Sequence, residues 1–341
     1  MNVSHKSFAI IGASESGKSH YITALINELQ RQSTVYNWSL GAVDDITSEF
    51  YYRQLYAPLY EQKVPLRKTQ VEREARELRY RLTLRNTEVY LNFYDVAGET
   101  FSSEAQMQAR AAYIKSSAGI IFIVDPLQMR SVRLALMDED RRRPGATPLL
   151  LPQEATGEES LKEIFRRTVN MLNSSLDEQG KIKKPLAVTF TKFDALRALL
   201  GDDAPVFLPS RHRKGRFSIA DSNRIHDYLE TFLSVYDADD EVRPHAQRFR
   251  DHAYFGVSAL GMSTDRRDEG VQVKGDKDSA DANSAPTADA HAVSSEKQRL
   301  KAAPRPIRVL DPFLWLLHKN GLLPECDNQN VKVKYNSTIV K

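Results

Sequence analysis

Residues Gly12–Ser19 read GASESGKS, directly after the apolar run Phe8–Ile11 and directly before a helix-like stretch, Tyr21–Gln30. The two glycines allow a tight backbone wrap whose N–H groups point inward at an anion. Lys18 supplies a cation for the β- and γ-phosphates of a nucleotide, and Ser19 supplies a hydroxyl ligand for Mg²⁺. The stretch therefore predicts a phosphate-binding loop between a strand and a helix.

The predicted nucleotide contacts of this loop are its glycines, the polar residues between them and the first residues of the helix. They are Gly12, Ser14, Glu15, Ser16, Gly17, Lys18, Ser19 and His20. Lys18 is also a candidate catalytic residue, because it binds the two terminal phosphates. The alternative for the whole segment is an ordinary glycine-containing turn.

Length and composition indicate a packed core and exclude several classes of protein. The chain has 341 residues, 41% of them hydrophobic, which suits one α/β domain with insertions or two domains. A net charge of +3 is too small to predict nucleic acid as a partner. The single cysteine, Cys326, excludes a disulfide framework and a cysteine-rich metal site. The apolar runs are strand-sized, so we expect a cytoplasmic protein without a membrane span.

Hydrophobic patterning predicts strands that alternate with helices. Continuous apolar runs predict buried strands, and alternation predicts an antiparallel pair; the strand segments are Ile120–Val124, Leu186–Phe190, Ala253–Val257, Glu77–Arg85 and Val89–Tyr94. Helical spacing marks Val43–Gln62, Ser160–Leu176, Ile225–Tyr236 and a helix that begins at Asp311. In the second of these, Leu161, Ile164, Phe165, Val169, Leu172 and Leu176 would share one face. The pattern predicts an α/β fold with a mostly parallel sheet.

A second motif, Asp95-Val96-Ala97-Gly98-Glu99, follows the strand Val89–Tyr94. A carboxylate at the carboxyl end of a strand beside a phosphate loop is placed to hold a Mg²⁺-bound water, so Asp95 is a candidate metal ligand. Gly98 would let its backbone N–H approach the γ-phosphate, and the following segment would then change with the nucleotide. On its own, Asp-x-x-Gly is more often a turn.

Two further motifs follow the next strands. In Thr191-Lys192-Phe193-Asp194, the aspartate can accept the ring N–H and the exocyclic amine of guanine, while the stem of Lys192 covers the base. Val257-Ser258-Ala259-Leu260 can offer a backbone N–H to the guanine oxygen. Either string alone is equally well a strand-to-helix turn, with Asp194 capping a helix over residues 195–200. The nucleotide contacts predicted from the later motifs are Gly98, Thr191, Lys192, Asp194, Ser258, Ala259 and Leu260.

The strings GASESGKS, DVAGE, TKFD and SAL, in this order, resemble those of the TRAFAC-class P-loop GTPases, which include Ras-like and translation-factor-like proteins. The resemblance covers most of residues 6–320. It implies a three-layer P-loop NTPase sandwich with one antiparallel edge strand and helical insertions, GTP or GDP with Mg²⁺ as ligands, and hydrolysis coupled to a molecular switch. More narrowly, the chain resembles the double-GTPase domains of bacterial multi-component conflict systems.

The same resemblance implies a domain organisation. A GTPase domain would span residues 1–325, with insertions near residues 40–68, 126–155 and 200–250. A tail would follow at residues 326–341. Residues 262–306 are rich in Asp, Ala, Ser, Lys and Thr and poor in large apolar side chains, so we expect a disordered loop within the domain.

Two positions depart from the family pattern. Glu99 stands where Ras-like members usually have a glutamine that orients the attacking water; a carboxylate can accept a proton but cannot donate to the phosphoryl group. Glu99 is therefore a candidate catalytic residue, and the sequence does not fix the rate of GTP hydrolysis. The alternative function is a scaffold that senses GTP and hydrolyses it slowly or not at all. Glu15 replaces the asparagine of potassium-activated members, so we do not expect potassium stimulation.

The threonine that caps Mg²⁺ in this family must lie before the strand near Leu78. Thr69 is the candidate, as a metal ligand and catalytic residue, because Thr47 falls inside the predicted helical insertion. Arg67 is either an arginine finger in cis or part of a solvated basic turn.

We expect protein partners to bind at two segments, Val43–Gln62 and Gly98–Met107. An ATPase or small-molecule kinase stays an alternative if TKFD is coincidental.

Overall fold

The computed structural model describes residues 6–13, 15–66, 77–84, 87–94, 111–142, 161–173, 176–236, 239–261, 300 and 302–326. Several predictions therefore lie outside the described residues. They concern Ser14, Arg67, Thr69, Asp95, Gly98, Glu99, the segment 98–107, the tail from residue 327 and most of the loop 262–306.

Seven strands form one mixed sheet in the order β2-β3-β4-β1-β5-β6-β7. The strands are β1 Lys6–Gly12, β2 Trp38–Ala42, β3 Glu77–Leu84, β4 Thr87–Tyr94, β5 Gly119–Val124, β6 Leu186–Phe190 and β7 His252–Gly256. The pairs β4-β1, β1-β5, β5-β6 and β6-β7 are parallel, whereas β3 runs against both of its neighbours. This arrangement confirms the predicted α/β fold with one antiparallel edge. The hydrophobic pattern does not indicate β2, which pairs outside β3.

Helices connect the strands. They are α1 Lys18–Arg31, α2 Asp45–Phe50, α3 Arg130–Arg142, α4 Leu161–Met171, α5 Ile219–Val235, α6 Asp239–Ala246 and α7 Asp311–Lys319. A π-helix, Tyr51–Glu61, continues α2. Short helices span Ser33–Tyr36 and Arg197–Leu200, residues 111–116 are also helical, and 3₁₀ turns span Pro126–Gln128, Phe193–Leu196 and Pro205–Phe207. None of the helices in the described ranges has both the length and the apolar character needed to cross a bilayer.

Two hydrophobic cores cover the two faces of the sheet. Side chains of β1 alternate between them: Phe8 and Ile10 join the core under α1 and α7, and Ala9 and Ile11 join the core under α3, α4 and α5. Burial on both faces explains why the central strands read as continuous apolar runs. The layers bring the carboxyl ends of the parallel strands to one edge, where the loops after β1, β5, β6 and β7 meet.

Helix α4 is shorter than predicted. It ends at Met171, so Leu172 lies in the following turn. Leu176 does not share the helical face; it is 37% exposed and forms a bridge with Ile182. The predicted placement of Leu176 is therefore wrong. The reason lies in the sequence Asn-Ser-Ser at 173–175, because asparagine and serine are residue types that disfavour a helix interior. The predicted helices at residues 43–62, 225–236 and from Asp311 are confirmed.

The outer edge of β7 is covered by α5. The backbone N–H of Tyr254 donates to Nδ1 of His226 over 3.2 Å. Since Val257 N–H bonds Phe190 in β6, the alternation of the strand directs the Tyr254 N–H away from β6. The ring of His226 also stacks on Tyr254, with centroids 5.0 Å apart. The imidazole of His226 thus accepts the hydrogen bond of an N–H at the sheet edge, which could otherwise pair with another strand.

A buried ion network joins α5 to α7. The guanidinium of Arg308, 2% exposed, donates to Asp221 over 2.9 Å and to Asp311 over 2.7 Å. Ser210 donates to Asp311 over 2.6 Å, and Nε2 of His212 lies 3.4 Å from the same carboxylate. Burial would raise the pKa of Asp311, but His212, Arg308 and Ser210 together lower it to about 2. The carboxylate is therefore held in its charged form.

Candidate nucleotide-binding site

The phosphate loop leaves β1 against the neighbouring strand β5. A Cβ built on Gly12 would lie 2.8 Å from the carbonyl oxygen of Ile123 and 2.9 Å from Oγ of Ser16, so only glycine fits without displacing backbone. Further along, Glu15 and Gly17 have left-handed φ angles of 57° and 86°. These two turns produce the predicted wrap before α1.

Lys18 lies over this loop. Its Nζ donates to the carbonyl oxygens of Gly12, 3.0 Å away, and Ala13, 2.6 Å away. The Ser16 hydroxyl donates to Ala13 as well, over 2.8 Å. The ammonium group is therefore buried at the loop that would surround a phosphate, where a cation is most effective.

The first turn of α1 also contacts a more distant segment. Nε2 of His20 accepts a hydrogen bond of 3.1 Å from the backbone N–H of Leu66. Burial, and then the positive charge of Lys192, lower the pKa of His20 to about 4. The imidazole is thus neutral at neutral pH, as its acceptor role requires. The hydroxyl of Thr23 donates to the carbonyl of Ser19 over 2.6 Å. Of the three predicted metal ligands, Ser19 is the one that lies among the described residues.

The turn after β6 is bonded directly to the phosphate loop. The Thr191 hydroxyl donates to the carbonyl of Ser16 over 2.6 Å, and Nζ of Lys192 donates to the carbonyl of Glu15 over 2.8 Å. Two consecutive residues of the TKFD turn therefore hold two consecutive carbonyls of the loop. Lys192 itself has a left-handed φ of 52°, which turns the chain sharply at the strand end.

Asp194 follows in the 3₁₀ turn Phe193–Leu196 and is half-buried. Asp194 lies inside this turn. The residue at the capping position, directly before the turn, is Lys192. The N–H of Phe193 donates to the carbonyl of Val257 over 3.2 Å, which joins the turn to the loop after β7. The carboxylate is thus on the loop that the phosphate loop and the SAL loop hold between them.

In the SAL loop, Ser258 is occupied by internal contacts. Its N–H donates to Ile307 over 3.0 Å, its carbonyl accepts from Ile307 over 2.8 Å, and its hydroxyl accepts from Gly261 over 2.8 Å. The N–H and the hydroxyl of Ser258 are therefore already engaged within the protein. The segment 302–307 that pins this loop is a feature that local sequence patterns do not reveal.

Asp125 is a site residue that the motifs did not identify. It directly follows β5, its side chain is fully buried, and Oδ2 accepts from Nζ of Lys192 over 2.6 Å. Oδ1 accepts from the N–H of Leu127 over 2.9 Å. Burial raises the pKa of Asp125, and the ammonium of Lys192 opposes that rise. The available signal was an acidic residue directly after a buried strand, at the same edge as the other motifs.

The predicted site residues among those described all lie at the carboxyl ends of β1, β6 and β7 or in the first turn of α1. They are Gly12, Glu15, Ser16, Gly17, Lys18, Ser19, His20, Thr191, Lys192, Asp194, Ser258, Ala259 and Leu260. Ser14, Thr69, Asp95, Gly98 and Glu99 lie outside the described residues.

A glycine-bounded loop with a buried lysine, joined to a TKFD turn across a parallel sheet, defines a P-loop protein of the GTPase type. The model of the family described as Double-GTPase 2 matches residues 7–249. The chain therefore belongs to the Double-GTPase 2 family, and this membership supports a GTP-binding protein.

Other known proteins are similar to part of this chain in sequence or structure. The putative ESX-1 scaffolding and assembly protein SaeC of Mycolicibacterium smegmatis is 27% identical over 197 residues, which are 56% of this chain and 46% of that protein. The chain thus matches about half the length of this relative. The Trypanosoma brucei small GTPase Arl6 BBS3, solved with the nucleotide analogue GppNp, aligns at 12% identity and a TM-score of 0.29 over 75% of this chain and 88% of its own. A mutation variant of SsGBP aligns at 13% identity and a TM-score of 0.31 over 76% and 51%.

Proposed function

We propose that the protein binds GTP and GDP with Mg²⁺, hydrolyses GTP to GDP and phosphate, and acts as a nucleotide-dependent switch. The observation that carries the proposal is the pair of contacts from Thr191 and Lys192 to Ser16 and Glu15. They join the turn that bears Asp194 to the phosphate loop. A nucleotide that fills the loop with its phosphates would then present its base to this carboxylate, which accepts both donors of guanine.

The metal would be held by Ser19, Asp95 and Thr69, with Asp95 acting through a water. Ser19 suits this role because it lies in the first turn of α1 beside Lys18, where the terminal phosphates would lie. When bound, Mg²⁺ neutralises charge on the phosphate oxygens. The residues of the chain would position the rest: Lys18 would contact the terminal phosphates, and Glu99 would act on the attacking water.

The expected partner surface at Val43–Gln62 has exposed apolar side chains. Ile46 is 70% exposed and Tyr52 is 52% exposed. Tyr52, Tyr56 and Tyr60 also form a stacked row along the π-helix. Tyr52 is the exposed member of this row, Tyr56 and Tyr60 being partly buried, and exposed apolar and aromatic side chains suit a protein interface. We propose this surface, with Gly98–Met107, as the region that protein partners contact.

A second candidate function is a scaffold that senses GTP and turns it over too slowly for hydrolysis to matter. Glu99 favours it, because a carboxylate repels phosphate oxygens where Ras-like members have glutamine. The name of SaeC, a putative ESX-1 scaffolding and assembly protein, also favours it. A role in a bacterial defence or conflict system is the narrower form of the switch proposal and rests on the sequence resemblance alone.

Nucleotide selectivity tests the binding proposal. A fluorescent GDP analogue should be displaced by GTP and GDP but not by ATP. Asp194→Asn should weaken guanine binding and favour xanthine nucleotides, because an amide can donate to the xanthine oxygen that replaces the guanine amine. Displacement by ATP as effective as that by GTP would remove Asp194 from its role.

Single-turnover hydrolysis separates the switch from the scaffold. GTP should be converted to GDP with release of phosphate in the presence of Mg²⁺. For a hydrolysing switch, Glu99→Gln or Glu99→Ala should change the rate. For a scaffold, both variants should keep nucleotide and partner binding and show no loss of rate.

A further inference from the structure

We propose that Asp125 is a positioning residue that holds Lys192 in place over the bound base and so sets how long a guanine nucleotide stays bound. This inference rests on the proposed function. It adds a buried carboxylate at the end of β5 to a site predicted from the loops after β1, β4, β6 and β7.

The contact is close and directional. Oδ2 of Asp125 lies 2.6 Å from Nζ of Lys192, and the aspartate side chain has no exposed surface. The other oxygen, Oδ1, accepts from the backbone N–H of Leu127. Because both oxygens have fixed donors, the carboxylate cannot rotate away without breaking a bond, and a charge-assisted hydrogen bond of this length is a strong one.

Lys192 needs such a partner. Its side chain is 35% exposed, so the ammonium could otherwise extend into water. With Asp125 on one side and the carbonyl of Glu15 on the other, Nζ is fixed at 2.6 and 2.8 Å. The aliphatic stem is therefore pre-arranged along the phosphate loop, and its Cε would lie 3.7 Å from a Cβ added to Gly17.

The expected consequence concerns residence time more than base selection. Asp194 reads the exocyclic amine of guanine, whereas the Lys192 stem covers any purine through its apolar surface. Loss of the Asp125 charge should release the stem and speed dissociation of GDP and of inosine diphosphate, which lacks that amine, by the same factor. Asp194→Asn should instead change the ratio between the two nucleotides.

Asp125→Asn is the suitable variant, because asparagine keeps the size of the side chain and the bond to Leu127. We expect fluorescent GDP to dissociate about ten-fold faster from this variant, which corresponds to about 1.4 kcal/mol. Asp138→Asn is the control, since it breaks an exposed ion pair within α3, Asp138–Arg141; its dissociation rate should equal that of the parent protein.

A double-mutant cycle with Lys192→Ala decides whether Asp125 acts through Lys192. If it does, Asp125→Asn/Lys192→Ala should dissociate no faster than Lys192→Ala alone. Rates that multiply, or an unchanged rate in Asp125→Asn, would overturn the inference. Failure of the proposed function is distinct, because the parent protein would then bind no guanine nucleotide at all. Thermal unfolding of each variant without nucleotide separates a folding defect from a positioning effect.

Discussion

The hydroxyl of Thr191 donates a hydrogen bond of 2.6 Å to the backbone carbonyl of Ser16, which joins the end of β6 to the phosphate loop across 175 residues of sequence. Both residues are buried, Thr191 being 3% exposed and Ser16 1% exposed. The bond therefore has no water to replace it, and the shape of the loop depends on the turn that bears Asp194.

Thr191→Val should weaken nucleotide binding about ten-fold, because the isosteric methyl group leaves the Ser16 carbonyl buried without its donor. The free energy of unfolding should fall by about 1–2 kcal/mol. Titration with fluorescent GDP and thermal unfolding measure the two effects. Thr189→Val is the control: Thr189 is also fully buried in β6, but its hydroxyl makes only a 3.4 Å contact to Ala187 in its own strand. Equal losses in both variants would count against the role of Thr191.

Gly12→Ala should abolish nucleotide binding, because a Cβ there would lie 2.8 Å from the backbone oxygen of Ile123. Neither strand can move aside cheaply, and we expect a loss of about 1–3 kcal/mol in the free energy of unfolding. Chemical denaturation measures it. Gly41→Ala in β2, with no atom within 4 Å of the added Cβ, should be neutral or slightly stabilising. Full binding by Gly12→Ala would refute this account of the loop.

Gly261→Ala should detach the SAL loop from the segment that pins it. Gly261 has a left-handed φ of 66°, and a Cβ there would collide with the carbonyl oxygen of Arg305. Gly180 has a similar φ of 70° but open space around it, so Gly180→Ala carries the backbone strain alone, about 1 kcal/mol. The difference between the two variants in chemical denaturation isolates the collision. We expect Gly261→Ala to be the less stable variant and to bind guanine nucleotides more weakly; equal stabilities would contradict the assignment.

Asp311 should make stability depend on acid pH. Its pKa is about 2 in the fold against 3.8 ordinarily, so its contribution is fully present above about pH 4 and is lost as the pH falls through 2. The shift corresponds to about 2 kcal/mol. Denaturation curves of the parent protein and Asp311→Asn should converge by about that amount between pH 5 and pH 2. A constant difference across this range would show that Asp311 does not titrate in the network.

The fold was predictable where the signal is local. Continuous apolar runs predicted β5, β6 and β7, because burial on both faces requires them. GASESGKS predicted its own loop, since Gly12 permits the close approach to β5 and Gly17 permits a left-handed turn. By contrast, β2 is a five-residue segment, Trp38–Ala42, that contains a glycine, and its pairing depends on β3 some forty residues later.

The candidate site was predictable motif by motif, but the contacts between motifs were not. Asp125 and Lys192 are 67 residues apart, and Ser258 and Ile307 face each other across residues that no local pattern relates. Such contacts depend on the order of the strands in the sheet, which determines which loops meet. The spacing of residues along the sequence does not indicate that order. The position of Asp125 after a buried strand was visible; its partner was not.

Because of the contact between His226 and Tyr254, the two edges of the sheet differ in whether another strand could pair with them. At the β7 end, the outward N–H of Tyr254 is already bound, and α5 stands in the way of another strand. At the other end, no described strand pairs with the outer side of β2, and the flanking Val43 is 44% exposed. Among the described residues, a polypeptide that extended this sheet by strand addition would therefore find its unpaired edge at β2, at the opposite edge of the sheet from α5.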